Sequence, residues 1–212
     1  MYNRLMANKR YEIRVCDSCG LRYPLMEGHL FGTRCPICMS DTELILSREL
    51  ITEPSHILPS SKGNVSVLLD NIRSGWNVGS IFRSADGFGF AHAYLCGITP
   101  TPENDAVRKT SLGAEDSVPW SYHKDAVKLV KGLKKEGWGI LALEEDPRAR
   151  QLGDVSASTQ RSVLIVGNEV TGIDSELLDM CDEILCIPMH GDKKSFNVAT
   201  AFGIAAFALS RK

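Results

Sequence analysis

"IPMHGDKKSFNVATAFGIAAFAL", residues 187–209, carries the end of an apolar strand into a helix made almost wholly of small and apolar residues. Pro188 stops the strand, because proline has no N–H to give to a ladder. The polar loop behind it brings Ser195 and Asn197 to the start of the apolar run. One polar side chain is enough to cap a helix. The second calls for another role. A polar pair at the mouth of a buried helix, directly after a strand, stands where ligands bind in open α/β sheets, outside the strand's carboxyl end.

The chain upstream repeats this alternation. "VSVLLD" (65–70), "AYLCGI" (93–98), "WGILALE" (138–144), "SVLIVG" (162–167) and "EILCIP" (183–188) read as strands. "NVGSIFRSADGFG" (77–89) reads as a helix with Asn77 as its cap. In "HKDAVKLVKGLKKEG" (123–137), Val127, Val130 and Leu133 recur at helical spacing and Gly137 is a stop signal. A short helix starts at Asp174 or Ser175, and the last helix runs over 196–210. Near-continuous apolar strands alternating with helices imply an α/β fold with a mainly parallel sheet covered on both faces.

Residues 1–50 are different in kind: short, rich in Cys, Arg and turn residues, without a long periodic segment. "TEPSHILPSSKGN" (52–64) reads as the connection. The expected division is a module at 1–50, a linker at 51–63 and a main domain at 64–212. A chain of 212 residues, 43% hydrophobic with a formal charge of −2, suits one core of about 150 residues and a small appendage. Its N-terminus has no apolar signal segment, and its longest apolar run falls far short of the roughly 20 residues that span a bilayer. The expectation is a soluble, cytoplasmic protein with no membrane partner.

Seven cysteines need a reason in a reducing compartment. Cys16, Cys19, Cys35 and Cys38 form C-x2-C-x15-C-x2-C, the zinc-ribbon spacing. Two knuckles of two thiolates each complete a tetrahedral structural Zn²⁺ site, and metal binding would supply the folding energy of so small a piece. Tyr11, Tyr23 and Phe31 either stack on unpaired bases or pack a tiny core around the metal. Cys96, Cys181 and Cys186 lie in or beside apolar segments and read as small buried hydrophobes.

Three stretches at strand ends hold the polar and glycine residues: "NIRSGWNVGSIFRSADGFG", "VGNEVTGI" and "IPMHGDKKSFNVATA". Neither a dinucleotide fingerprint nor a phosphate-binding loop of the G-x-x-x-x-G-K-[ST] type follows the first strand. Together and in this order, they resemble the SPOUT class of knotted RNA methyltransferases, in its SpoU/TrmH branch. The resemblance rests on Asn77-x-Gly79-x-Ile81-x-Arg83-x-Ala85, on Gly167-Asn168-Glu169-x-x-Gly172, and on Ile187-Pro188-Met189 through Ser195-x-Asn197-Val198. "KTSLGAEDSVPW" (109–120) is also similar to a stretch of the family, while Phe196 stands where the family usually has Leu.

The resemblance implies a C-terminal trefoil knot around 165–210 and, in it, a pocket for S-adenosyl-L-methionine (SAM). Carried over by motif, the cofactor contacts are Leu143, Gly167, Asn168, Glu169, Gly172, Ile187, Met189, Ser195, Phe196 and Asn197. The implied catalytic residues are Arg83, Asn77, Glu169, Ser195 and Asn197. The implied reaction is methyl transfer to a ribose 2′-hydroxyl of tRNA, or of rRNA. A guanidinium holds its proton over the physiological range, so Arg83 is first assigned to gripping phosphate and stabilising a developing alkoxide. Arg73, Arg108, Lys109, Lys193 and Lys194 flank the site as phosphate contacts or as ordinary solvated charges. The implied assembly is a homodimer that combines the Arg of one subunit with the SAM of the other. Two other functions stand beside this one. A zinc-ribbon RNA-binding or assembly factor with a non-catalytic second domain would be expected to have lost some of these residues. A zinc hydrolase would need His or carboxylate ligands at a spacing the five His residues do not show.

Overall fold

A computed structural model describes residues 10–50, 63–154 and 160–210. Nearly all of the expected linker lies outside the described residues. The chain divides into two compact units, 1–59 and 60–212.

The smaller unit is an antiparallel sheet of β1 (Arg10–Cys16), β2 (Arg22–Met26) and β3 (Thr42–Glu49), in the order β2-β1-β3. Pro24 is tolerated because β2 is an edge strand, opposite Ile13 of β1. Buried Glu12 is paired with Arg14 at 2.8 Å, and the β1–β3 register shifts between Ile13 and Arg14.

In the larger unit the order along the chain is β4 (Val65–Asp70), α1 (Gly75–Gly87), β5 (Ala93–Cys96), α2 (Asp105–Ser111), α3 (Ala114–Ser117), β6 (Trp120–His123), α4 (Ala126–Lys135), β7 (Gly139–Leu143), β8 (Arg150–Gln151), β9 (Ser162–Val166), α5 (Ser175–Met180), β10 (Glu183–Cys186) and α6 (Val198–Ser210). The sheet order is β6-β5-β4-β9-β7-β10-β8, and each neighbouring pair is parallel. Alternation along the strands separates two cores. Val67 and Leu69 of β4 and Leu164 and Val166 of β9 meet α1 and α6 through Phe82 and Phe202. Leu68, Val163 and Ile165 face the other way, onto Val130 and Leu133 of α4 and Leu177 of α5.

Some local expectations are corrected. Asn77 does not cap α1: Ser74 does, its hydroxyl accepting from the Asn77 N–H at 3.4 Å, so the helix begins at Gly75. The last helix begins at Val198 rather than 196. Cys96 is buried, but Cys181 and Cys186 are only half-buried. Tight packing involves Gly79, where a Cβ would fall 1.9 Å from the Thr110 hydroxyl oxygen and 2.4 Å from the Val107 carbonyl. No helix among the described residues is long and apolar enough to cross a membrane.

Candidate functional site

Strands β9, β7 and β10 lie side by side and end together, at Val166, Leu143 and Cys186. The loops that leave them, with the opening of α6, enclose a cavity of about 310 Å³, at the lower end of the 300–1,000 Å³ range usual for ligand pockets. Leu143, Ile187 and Met189 line it, as do Gly167, Asn168, Glu169 and Gly172 from the loop after β9. Ser195, Phe196 and Asn197 complete that wall. All ten residues carried over as cofactor contacts therefore surround one space. Sequence reasoning missed Glu144, Glu145, Val166, Val170, Cys186, Val198 and Ala201 as wall residues. The acidic pair directly after the apolar run of β7 was the available signal for two of them. Among the described residues the wall carries three glutamates and no Lys, Arg or His. Such a wall suits a ligand with positive charge and is poor for phosphate.

The loop after β9 is shaped by close approach. A Cβ on Gly167 would fall 2.3 Å from the Ile173 nitrogen and 2.4 Å from the Gly172 carbonyl carbon. Asn168 and Gly172 exchange both backbone hydrogen bonds, at 3.1 and 2.9 Å. The Asn168 side chain accepts from the Val170 and Thr171 N–H groups and donates to the Asn71 carbonyl at 2.6 Å. Gly172 has φ +72°, and its missing Cβ leaves room for the Glu144 carboxylate, which accepts from the Ile173 N–H at 3.0 Å. Buried Asp70 at the end of β4 accepts from the Asp174 N–H at 3.0 Å, which fixes the start of α5.

Three of the five residues singled out for catalysis join in a relay. Glu169 accepts from the Arg73 N–H at 2.9 Å, the Ser74 N–H at 3.1 Å and the Asn77 side-chain amide at 2.8 Å. The Asn77 side-chain oxygen accepts from the Asn197 amide at 3.0 Å. Asn197 in turn caps α6, its side-chain oxygen accepting from the Ala199 and Thr200 N–H groups. The Ser-x-Asn pair thus has two explanations: Asn197 is both cap and cross-link, and Ser195 is an exposed wall residue that makes no hydrogen bond among the described residues. Arg83 stands apart. It lies six residues beyond Asn77 on α1, exposed and off the cavity wall, and its guanidinium has no hydrogen bond or ion pair among the described residues.

Burial alone would raise the Glu169 pKa, but the N–H donors and the Asn77 amide outweigh it and hold it below its ordinary value. The N-terminal end of α1 favours the same charge. A lowered folded-state pKa stabilises above the unfolded value and is lost as pH falls through the folded one. Glu169→Gln puts an NH2 against N–H donors. It should cost about 1 kcal/mol, after discounting for exposure. Thermal denaturation against pH checks this: the gap to wild type should be full at neutral pH and close in acid.

In the smaller unit, the sulfurs of Cys16, Cys19, Cys35 and Cys38 all lie within 4.8 Å of one another. Cys16–Cys38 is 3.4 Å and Cys19–Cys35 is 3.7 Å, close to the edge of about 3.8 Å of a tetrahedron with 2.3 Å metal–sulfur arms. The Cys19 and Ile37 N–H groups point at the Cys16 and Cys35 sulfurs, each at 3.4 Å. Arg10 and Arg14 are held by Ser47 and Glu12, and the Tyr23 hydroxyl donates to the Phe31 carbonyl, which favours the packing role for Tyr23.

The chain is 29% identical over 158 residues to the 23S rRNA (guanosine-2'-O-)-methyltransferase RlmB of Xanthomonas campestris pv. campestris, covering 74% of this chain and 62% of that one. It is 28% identical over 156 residues to the tRNA (guanosine(18)-2'-O)-methyltransferase of Thermus thermophilus, covering 74% and 79%. The chain thus spans less than two thirds of the rRNA relative's length. Among solved structures, the AdoMet-bound rRNA methyltransferase of Sinorhizobium meliloti superposes with a TM-score of 0.66 at 25% identity, over 72% of this chain and 57% of that one. The model of the SpoU rRNA Methylase family matches residues 64–207. That match takes in the parallel sheet and all the loops that enclose the cavity, and by it the chain belongs to the SpoU methylase family.

Proposed function

We propose that this protein is a SAM-dependent RNA 2′-O-ribose methyltransferase acting on tRNA, with rRNA as the second substrate class. The observation that carries the reading is that the second and third motif loops share one cavity, and that the Glu169–Asn77–Asn197 relay ties the first motif to its wall. Family membership over residues 64–207 supports the reaction class. Greater coverage of the tRNA relative's own length, 79% against 62%, favours tRNA. The donor set fits the cofactor: a wall with three carboxylates and no basic side chain suits a sulfonium-bearing molecule. The trefoil threading around 165–210 belongs to the same proposal.

When bound, SAM supplies an electrophilic methyl group, so the chain's task is positioning and charge stabilisation. Leu143, Ile187 and Met189 would enclose the apolar parts of the cofactor, with Gly167, Asn168, Gly172 and Phe196 around its remainder. Ser195 faces the same space. Glu169, Asn77 and Asn197 act by position, holding α1 and α6 to the cavity loop. Arg83 holds the RNA phosphate and stabilises charge on the attacking 2′-oxygen. Its place off the wall supports a homodimer in which it serves the partner's cavity. Ile204 and Phe207, exposed on α6 at 37% and 51%, offer apolar surface for that pairing.

Labelled SAM incubated with bulk RNA, followed by mapping of the product, tests the reading. Label in tRNA at a ribose 2′-oxygen is expected. SAM binding without transfer to any RNA would favour the non-catalytic RNA-binding factor instead. For the quartet we propose one structural Zn²⁺. Metal analysis should give about one zinc per chain, and chelation should unfold residues 10–50 by hydrogen exchange while leaving 63–210 protected. An ordered, metal-free module would sink this assignment.

A further inference from the structure

Beside Arg83, the outer face of α1 carries residues that the proposed reaction leaves unused. Trp76 is 57% exposed, an unusual position for so large an aromatic surface. Trp76, Ser80 and Arg83 follow one another at i, i+4 and i+7, so they share one side of the helix. The Ser80 hydroxyl is folded back onto the Trp76 carbonyl at 2.9 Å. Arg73 stands just before the cap, exposed, and its guanidinium has no partner among the described residues. Arg83 has none either. The acid nearest in the chain's hydrogen-bond network, Glu169, is spent on the Arg73 and Ser74 N–H groups and on Asn77. Asp86 is the one acidic residue of α1, in its last turn.

Resting on the proposed RNA methyltransferase reading, we propose that Trp76 is a stacking platform for an unpaired base of the RNA substrate, with Arg73 and Arg83 taking the phosphates on either side. The location fits. Asn77, the next residue, is bonded to Glu169 and Asn197, both on the cavity wall. Val170, 72% exposed, follows Glu169 on that wall and extends the apolar surface at the mouth. An indole between two free guanidinia is the alternation of aromatic and basic side chains that holds single-stranded nucleic acid. In the proposed homodimer Arg83 sets this face beside the partner's cavity, where the RNA lies, and the companions of Trp76 on it are Arg, Ser and Arg. The apolar surface suited to self-pairing lies on α6.

The full-length protein is titrated with a fluorescein-labelled, mixed-sequence single-stranded RNA and with bulk tRNA, reading anisotropy. SAM binding, sedimentation and methyl-transfer kinetics are measured alongside. Trp76→Ala should weaken RNA binding about tenfold and raise the RNA KM more than it lowers kcat, with SAM affinity unchanged. Trp76→Tyr, which keeps an aromatic face, should restore most of the affinity. Arg73→Ala should lower the salt slope of binding by about 0.7, the release from one phosphate of a single strand. Wild-type RNA affinity in Trp76→Ala overturns the proposal. So does a lower sedimenting mass in that variant, which would put the indole between two copies. If RNA affinity follows Trp76 but the wild-type protein takes up no SAM, the platform stands and the methyltransferase reading falls.

Discussion

Arg83→Ala should lower methyl transfer to RNA by about 10²- to 10³-fold while leaving SAM affinity at the wild-type level, the range expected when a preorganised stabiliser of transition-state charge is removed. The two halves of this expectation have separate causes. Arg83 is off the wall of its own chain's cavity, and the role proposed for it at the partner's is toward the RNA, so no cofactor contact is lost. It is exposed and unpaired among the described residues, so folding stability should change by no more than about 0.5 kcal/mol. Arg83→Lys keeps the charge but not the planar fork, and should fall between the two. Single-turnover transfer with saturating SAM, alongside calorimetric SAM titration, separates chemistry from binding. Near wild-type turnover in the alanine variant would remove Arg83 from the mechanism. Equal loss of SAM affinity would move it into the cofactor site.

Gly167→Ala should abolish measurable SAM binding and destabilise the larger unit by about 3 kcal/mol, the upper range for forced overpacking. The added Cβ would meet the Ile173 nitrogen at 2.3 Å and the Gly172 carbonyl carbon at 2.4 Å. Both are backbone atoms, and the loop they belong to is already held by the Asn168–Gly172 pair and by Glu144. No rotamer change relieves the clash, so the loop must move, and the cavity wall moves with it. Gly203→Ala is the control. There a Cβ meets only the Ser84 hydroxyl oxygen at 3.8 Å, and the better helix former should add up to about 1 kcal/mol. Calorimetry on both variants checks the contrast. Unchanged SAM affinity in Gly167→Ala would show that the loop's path is not what shapes the site.

The motif residues were legible through the resemblance of three stretches to the SpoU/TrmH branch, and those around the cavity also because they follow apolar runs whose strand ends converge on a parallel sheet. Even so, a motif states membership and not orientation. Glu169 lines the cavity, yet its carboxylate is bound to the first residues of α1. Asn77 looked like a cap because it precedes an apolar helix. Ser74 takes that role since α1 starts two residues earlier, which frees the Asn77 amide to bridge Glu169 and Asn197. Strand β6 went unread because "WSYH" is short and only half-buried. Strand β8 has two residues and no periodicity.

What the sequence determined by itself is what local periodicity and spacing encode. The runs at Val65–Asp70 and Ser162–Val166 are almost entirely buried, as strands covered on both faces must be. Each C-x-x-C turn brings its own two sulfurs together, while the meeting of the two knuckles, Cys16 with Cys38 and Cys19 with Cys35, is made by the fold of the smaller unit. Tertiary structure alone decided which strand ends became neighbours. The order β4-β9-β7-β10 sets Glu169 against Asn77 across 92 residues, and α6 brings Asn197 to Asn77 across 120. Those hydrogen bonds depend on crossovers that no window of sequence contains, so the relay and the carboxylate-lined cavity exist only once the sheet is assembled.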